Sequence, residues 1–134
     1  MDHVRSTGLP ALDHPSLPQG QLVYAVGDIH GRADLLAALL AKITSDVARR
    51  EGAGRRTLVF LGDYIDRGPD SKEVVDLLLT GLPGGFDAHF LKGNHEAIML
   101  DFLEDPSFLA HWLANGADAT PDGMQHLLHR AKWD

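Results

Sequence analysis

The stretch Leu22-Val23-Tyr24-Ala25-Val26-Gly27-Asp28-Ile29-His30-Gly31 sets the reading of the whole chain. Its first five residues form a nearly continuous apolar run, the mark of a strand buried on both faces. Gly27 to Gly31 then make a turn. Behind it Leu35, Leu36, Leu39, Leu40, Ile43 and Val47 recur at spacings of three and four, the signature of an amphipathic helix. Asp34 is placed to cap that helix, and the two glycines in Glu51–Gly54 end it.

The same unit occurs twice more. Thr57 to Leu61 reads as a second buried strand, followed by a turn from Gly62 to Pro69. Asp70, with Glu73 three residues on, resembles a capping box for a helix filled by Val74, Val75, Leu77, Leu78 and Leu79. A third strand over about Asp87 to Leu91 leads into the turn Lys92 to Asn94, and His95 opens a helix that Pro106 interrupts. Phe108, Leu109, Trp112 and Leu113 suggest one further short helix. Three successive βα units imply right-handed crossovers and a parallel sheet, an α/β fold. All three turns then fall at the carboxyl ends of their strands, where open α/β sheets place ligands.

Composition narrows the chemistry. Lys plus Arg number 12 and Asp plus Glu 19, for a formal charge of −7 over 134 residues. That balance lacks the basic patch that a nucleic-acid or anionic-membrane surface needs. A phosphorylated substrate is still allowed, because metal ions can supply positive charge. With no cysteine, thiol catalysis, disulfides and zinc-thiolate sites are excluded. Residues 1–20, with Pro10, Pro15 and Pro18 and no apolar core, read as a flexible arm and not as a signal peptide. The run Leu35–Ala41 is too short to cross a bilayer, so the expected location is the cytoplasm.

The turns are rich in ligand chemistry. Asp28 and His30, two residues apart on an extended strand end, point to one side and can reach one cation. The second turn, Gly62-Asp63-Tyr64-Ile65-Asp66-Arg67-Gly68, holds two carboxylates and a guanidinium, and the third is Gly93-Asn94-His95-Glu96. Any one such turn is as easily explained by an Asp capping a backbone and a solvated His. A fixed pattern of four residues arises at about one start in 10^5, however, and three in order after three strands are not coincidence.

The segments GDIHG, GDYIDRG and GNHE resemble the signature of calcineurin-like metallophosphoesterases, nearest the serine/threonine protein phosphatase branch and its bacterial relatives. The resemblance covers about Leu22 to Leu113. It implies the N-terminal half of the family's αββα sandwich, and a metal-dependent hydrolysis of phosphate monoesters by attack of a metal-bridging hydroxide. Asp28 and His30 match ligands of a first metal, Asp63 the bridging carboxylate, and Asn94 one ligand of a second. These oxygen and imidazole donors suit Mn²⁺ first, with Fe or Zn²⁺ as alternatives. Arg67 fits a bidentate phosphate clamp, its planar fork matching two phosphoryl oxygens. His95 matches the general acid, with Asp66 orienting its ring; a helix-capping role is the alternative for His95. Asp66 and Glu96 favour the protein-phosphatase branch over the related branch that cleaves diadenosine tetraphosphate, which stands as an alternative. Arg32 reads as a solvated helix-start residue with substrate contact as the alternative, Glu96 as a helix-start residue, and Tyr64 as either structural or site-lining.

The family pattern continues with a second sheet and two further histidines that complete the second metal site. Past His95 the chain offers His111, His126 and His129, none in a turn of that kind. His126 and His129, three apart, are either a ligand pair or part of a solvated tail. Three segments are expected: the arm at 1–20, a partial metallophosphoesterase domain at 21–114, and an irregular tail at 115–134. A chain truncated in this way leaves apolar surface uncovered and invites self-association. It also opens a second reading, an inactive remnant that binds a single metal or a phosphorylated partner.

Overall fold

In a computed structural model of the chain, the structure describes residues 16–120 apart from 51 and 53. Three strands, β1 (Gln21–Val26), β2 (Arg55–Phe60) and β3 (Asp87–Phe90), alternate with helices α1 (Ala33–Arg49), α2 (Ser71–Thr80) and α3 (Asn94–Glu104). A 3₁₀ turn at Pro106–Phe108, helix α4 (Leu109–Ala114) and a second 3₁₀ turn at Ala117–Ala119 follow. The strands pair in parallel in the order β1-β2-β3, with Tyr24 opposite Leu58 and Phe60 opposite Phe90. The three βα units and the parallel sheet expected from the sequence are present.

One face of the sheet carries the core. Leu22, Tyr24 and Val26 alternate onto it from β1, in register with Leu58 and Phe60, which are wholly buried. Leu36, Leu40, Ile43 and Val47 of α1, and Val74, Val75 and Leu78 of α2, close over them. Phe60 and Phe90 stack with ring centroids 5.2 Å apart. The Tyr24 hydroxyl donates to Asp46 of α1 at 2.7 Å, tying strand to helix.

The opposite face corrects one expectation. β1 and β2 are not buried on both faces. Val23, Thr57 and Val59 are half-buried, while Ala25 and His89 are exposed. Leu61 and Leu91, just past the strand ends, are 50% and 48% exposed. The apolar run thus carries two faces' worth of side chains, of which the described residues fully bury one.

Helix starts also differ from the sequence reading. The residue preceding α1 is Arg32, not Asp34, and neither it nor Asp70 before α2 makes a side-chain capping bond. Asp34 sits in the first turn of α1, where its carboxylate takes a fork of bonds from Arg32 at 2.8 and 2.7 Å. Asp70 uses its backbone N–H on the Gly31 carbonyl at 2.9 Å, which docks the start of α2 onto the first turn. Asp34's carboxylate is thus engaged by Arg32 instead of capping the helix, while Asp70 ties the helix start to the first turn through its backbone alone.

Candidate active site

At the carboxyl edge of the sheet the first two turns are joined by backbone hydrogen bonds, and the third meets the second by close packing and through a side chain. Ile29 and His30 both donate N–H to the Asp63 carbonyl, at 3.0 and 2.9 Å, and Gly31 donates to that of Tyr64 at 2.8 Å. Close backbone packing then requires glycine. A Cβ on Gly31, whose φ is +62°, would lie 2.6 Å from the Gly68 carbonyl oxygen, and one on Gly62 would strike the backbone of Gly93. The glycines let the turns approach one another.

Strain is concentrated here as well. Among the described residues, the non-glycine positions with left-handed backbone are His30 (φ +45°), Asp63 (+55°), Asp66 (+70°) and Arg67 (+67°). Each such residue costs about 1–3 kcal/mol. All four lie in the first two turns, and all four are site candidates. The fold sustains the strain by hydrogen bonds that the sequence reading did not foresee.

Glu96 is the main source of them. It is fully buried, and its carboxylate accepts N–H bonds from Gly93 (2.9 Å), Asp63 (2.8 Å) and Tyr64 (2.7 Å), with Ile65 at 3.4 Å. One side chain on the third turn therefore fixes the backbone of the second. The Tyr64 phenol is buried and donates to the Leu91 carbonyl at 2.7 Å, bracing the second turn on the end of β3. Burial, then the nearby negative charges of Glu96 and Asp63, pushes its pKa well above the ordinary phenol value.

On this frame Asp28, His30 and Asp63 converge, each offering a ligand atom within 4.8 Å of the others. His30 Nδ1 lies 2.9 Å from the Ile65 carbonyl. Nδ1 must then carry the proton, which leaves the Nε2 lone pair for a cation. Nε2 stands 3.9 Å from Asp28 Oδ2. The Asn94 amide sits over Asp63, and with its nitrogen turned inward donates to the two carboxylate oxygens at 3.1 and 3.3 Å. Asp63 Oδ1 also accepts the backbone N–H of His95 at 3.1 Å, so this carboxylate lies at the positive end of α3. A set of two carboxylates, one imidazole of fixed tautomer and an amide fits a hard divalent cation.

Beside the cluster stand the other candidates. Arg67 is exposed, its Nη1 3.4 Å from His30 Nε2, so its guanidinium reaches the same space as a ligand there. His95 is buried, its ring edge-on to that of His30 with centroids 4.6 Å apart. Its Nδ1 donates to Asp66 Oδ2 at 2.8 Å, and Asp66 is wholly buried. Arg32 is exposed and held by Asp34. His111 is exposed on α4, away from these contacts, and His126 and His129 lie outside the described residues.

Residues past the third turn also reach the site. Trp112 Nε1 donates to Asp66 Oδ2 at 2.9 Å, Thr120 Oγ1 donates to Asp66 Oδ1 at 2.8 Å, and the Gly116 carbonyl accepts the Arg67 N–H at 3.0 Å. The sequence carries no local signal for these contacts beyond a tryptophan in an amphipathic stretch.

This fold and cluster agree with the family comparison. The chain belongs to the calcineurin-like phosphoesterase family, whose profile matches residues 22–127. It is 38% identical over 96 residues to "Serine/threonine-protein phosphatase 2" of Escherichia coli, covering 72% of this chain and 38% of that protein. It is 36% identical over 96 residues to "Serine/threonine-protein phosphatase 1" of Salmonella typhimurium, covering 72% and 39%. An asymmetrical "Bis(5'-nucleosyl)-tetraphosphatase" of Oceanobacillus iheyensis is 35% identical over 72 residues, covering 52% and 28%. The chain thus spans under two fifths of the length of each of these relatives. No helix among the described residues is long and apolar enough to cross a membrane.

Proposed function

We infer that the chain carries the metal- and phosphate-handling edge of a metal-dependent phosphatase of the serine/threonine protein phosphatase type, acting on phosphate monoesters. The observation that supports this most is convergence: the ligand atoms of Asp28, His30 and Asp63 lie within 4.8 Å of one another, with the Asp66–His95 pair and Arg67 beside them.

In this reading Asp28, His30 and Asp63 would hold a first divalent cation, and Asp63 and Asn94 would contribute to a second. Mn²⁺ suits the donor set, as do Fe and Zn²⁺. Cations held there would supply Lewis acidity toward the phosphate and the attacking water. The chain's own side chains do the rest. Arg67, exposed beside His30, presents a planar fork that matches two phosphoryl oxygens. His95 delivers a proton to the departing oxygen from the ring nitrogen that Asp66 does not engage. Asp66 fixes the ring's plane through Nδ1. Glu96 and Tyr64 act on none of these atoms; they hold the backbone that aims Asp63 and Asp66.

The relatives include both serine/threonine protein phosphatases and bis(5'-nucleosyl)-tetraphosphatases at similar identity, so the preference for phosphate monoesters rests on Asp66 and Glu96, the residues whose resemblance is to the protein-phosphatase branch. Another reading is a chain that binds a single cation without turnover, since one three-residue cluster is found among the described residues. Hydrolysis of a phosphoserine peptide, p-nitrophenyl phosphate and diadenosine tetraphosphate by the 134-residue chain, with and without Mn²⁺, separates the three. Metal-dependent release from the two monoesters is expected. Cleavage of the dinucleotide alone, or of nothing at saturating metal, would sink the reading.

A further inference from the structure

The Asp66 carboxylate is held by more than its histidine. His95 Nδ1 at 2.8 Å and Trp112 Nε1 at 2.9 Å both donate to Oδ2, and Thr120 Oγ1 at 2.8 Å donates to Oδ1. The Asp66 backbone N–H is shared between Ser71 Oγ and Thr120 Oγ1, each at 3.1 Å. Ser71 Oγ and Thr120 Oγ1 lie 3.2 Å apart. Because the Thr120 hydrogen is committed to Asp66, it is Ser71 that donates between the two hydroxyls. Asp66, Trp112, Thr120, Ser71 and His95 are all buried, none more than 3% exposed.

Chemistry gives this arrangement a purpose. The last torsion of an aspartate is soft and broad, so one imidazole alone would leave the carboxylate plane free to swing. Three donors divided over two oxygens fix it, and the plane of the carboxylate fixes the plane of the ring bonded to it. An indole N–H can only donate, and the Thr120 hydroxyl here also donates, so both favour a carboxylate that keeps His95 in the Nδ1–H form. The two donors come from the segment after the third turn, 46 and 54 residues beyond Asp66. The same segment, through the Gly116 carbonyl, holds the backbone of Arg67.

We propose that Trp112 and Thr120 are positioning residues for the Asp66–His95 pair, setting the orientation of the His95 ring by hydrogen bonds and not by bulk alone. The functional consequence rests on the reading of His95 as proton donor; the positioning itself does not. Trp112 also packs on Phe102, with ring centroids 5.2 Å apart, so packing and hydrogen bonding must be separated.

Trp112→Phe keeps an aromatic ring and removes the N–H, and Thr120→Val keeps the shape and removes the hydroxyl. Thr120→Ser retains the hydroxyl, and Phe102→Leu loosens the packing while leaving the indole N–H in place. Side-chain nitrogen–proton NMR of the whole chain reads the His95 Nδ1–H directly, with no need for turnover. The wild type is expected to show a slowly exchanging His95 Nδ1–H signal. Trp112→Phe and Thr120→Val should each speed its exchange about tenfold or more, as loss of one bond to a charged group implies. Thr120→Ser and Phe102→Leu should stay within about threefold of wild type, since they keep both donors. If the wild type lacks that signal, if the two donor deletions leave its exchange unchanged, or if Phe102→Leu matches them, the proposal is overturned.

A second arm tests the reading on which the consequence rests. His95→Gln should slow release of a phosphoserine leaving group about tenfold more than release of nitrophenolate, the better leaving group, with KM little changed. Trp112→Phe should shift the same ratio in the same direction. If His95→Gln leaves the ratio alone while the NMR result stands, the proton-donor reading fails and the positioning survives.

Discussion

Replacing Glu96 with glutamine exchanges one oxygen for an NH₂ group at nearly constant volume, and the geometry gives its cost. Oε2 serves the N–H groups of Asp63 and Gly93 at 2.8 and 2.9 Å, and Oε1 serves Tyr64 at 2.7 Å with Ile65 at 3.4 Å. A carboxylate accepts on both sides, whereas an amide accepts on one and opposes donor to donor on the other. Whichever way the new amide turns, it abandons at least one short bond, and in one orientation two. Each buried donor left without a partner costs about 1–3 kcal/mol, so the variant should lose at least about 1–3 kcal/mol. That compares with about 5–15 kcal/mol for the stability of a whole domain. Urea unfolding is the assay. With a slope of about 1–3 kcal/mol per molar for a small protein, the midpoint should fall by about 1 M or more at unchanged slope. Native-state hydrogen exchange at Asp63 and Tyr64 should accelerate in parallel. A midpoint within a few tenths of a molar of wild type would refute the claim that Glu96 holds the second turn in its left-handed conformation.

Three further outcomes are expected. Gly31→Ala should lower the melting temperature by at least about 4–8 °C, since a left-handed alanine costs about 1–2 kcal/mol before its clash with Gly68 is counted; an unchanged melting temperature would contradict the packing of the first two turns. Asp34, held chiefly by its hydrogen bonds from Arg32, should titrate at about 2 in the folded chain, below the ordinary value of 3.8. The stability this contributes is present above the unfolded value and is lost as pH falls through about 2; Arg32→Gln should bring the carboxyl's NMR titration back toward the ordinary range, and no movement would remove Arg32 as the cause. Tyr24 and Tyr64 are both raised above 10.0, mainly by burial, so the folded chain keeps phenolic protons that the unfolded chain loses. Stability is then full below about pH 10 and declines as pH rises beyond it, and tyrosinate absorbance should appear together with loss of circular dichroism; ionisation of both phenols near pH 10 in a folded chain would contradict their burial.

Much of the fold was legible because its signals are local. The apolar runs at Leu22–Val26 and Thr57–Leu61, and the three-and-four spacing from Leu35 to Val47, fall on strands and helix within a residue or two. The turns could be read as one site because a parallel sheet brings its carboxyl ends to one edge. What escaped was whatever depends on contacts distant in sequence. Glu96 looks like a helix-start acid, and only its proximity to Asp63 and Tyr64, more than 30 residues earlier, reveals its work. Trp112 looks like a core residue of a short helix, and Thr120 like a turn residue. Asp34 misleads in the opposite direction, since its capping pattern is a local signal that the bond from Arg32 overrode. The strands' two-sided hydrophobicity also overstates what the described residues cover, because Val23 and Val59 remain half-buried.

The function proposed for this chain depends on one cation binding where Asp28, His30 and Asp63 meet. Titration of the 134-residue chain with Mn²⁺, followed by the loss of the free-ion resonance signal, tests this without any substrate. Wild type should bind the ion, and Asp28→Asn and Asp63→Asn should each weaken binding by at least about tenfold, the scale seen when even an outer partner of a ligand is lost. His111→Ala, on the exposed face of α4, should bind as wild type does. Equal binding by wild type and both aspartate variants, or weakening by His111→Ala alone, would place the metal elsewhere and contradict the site.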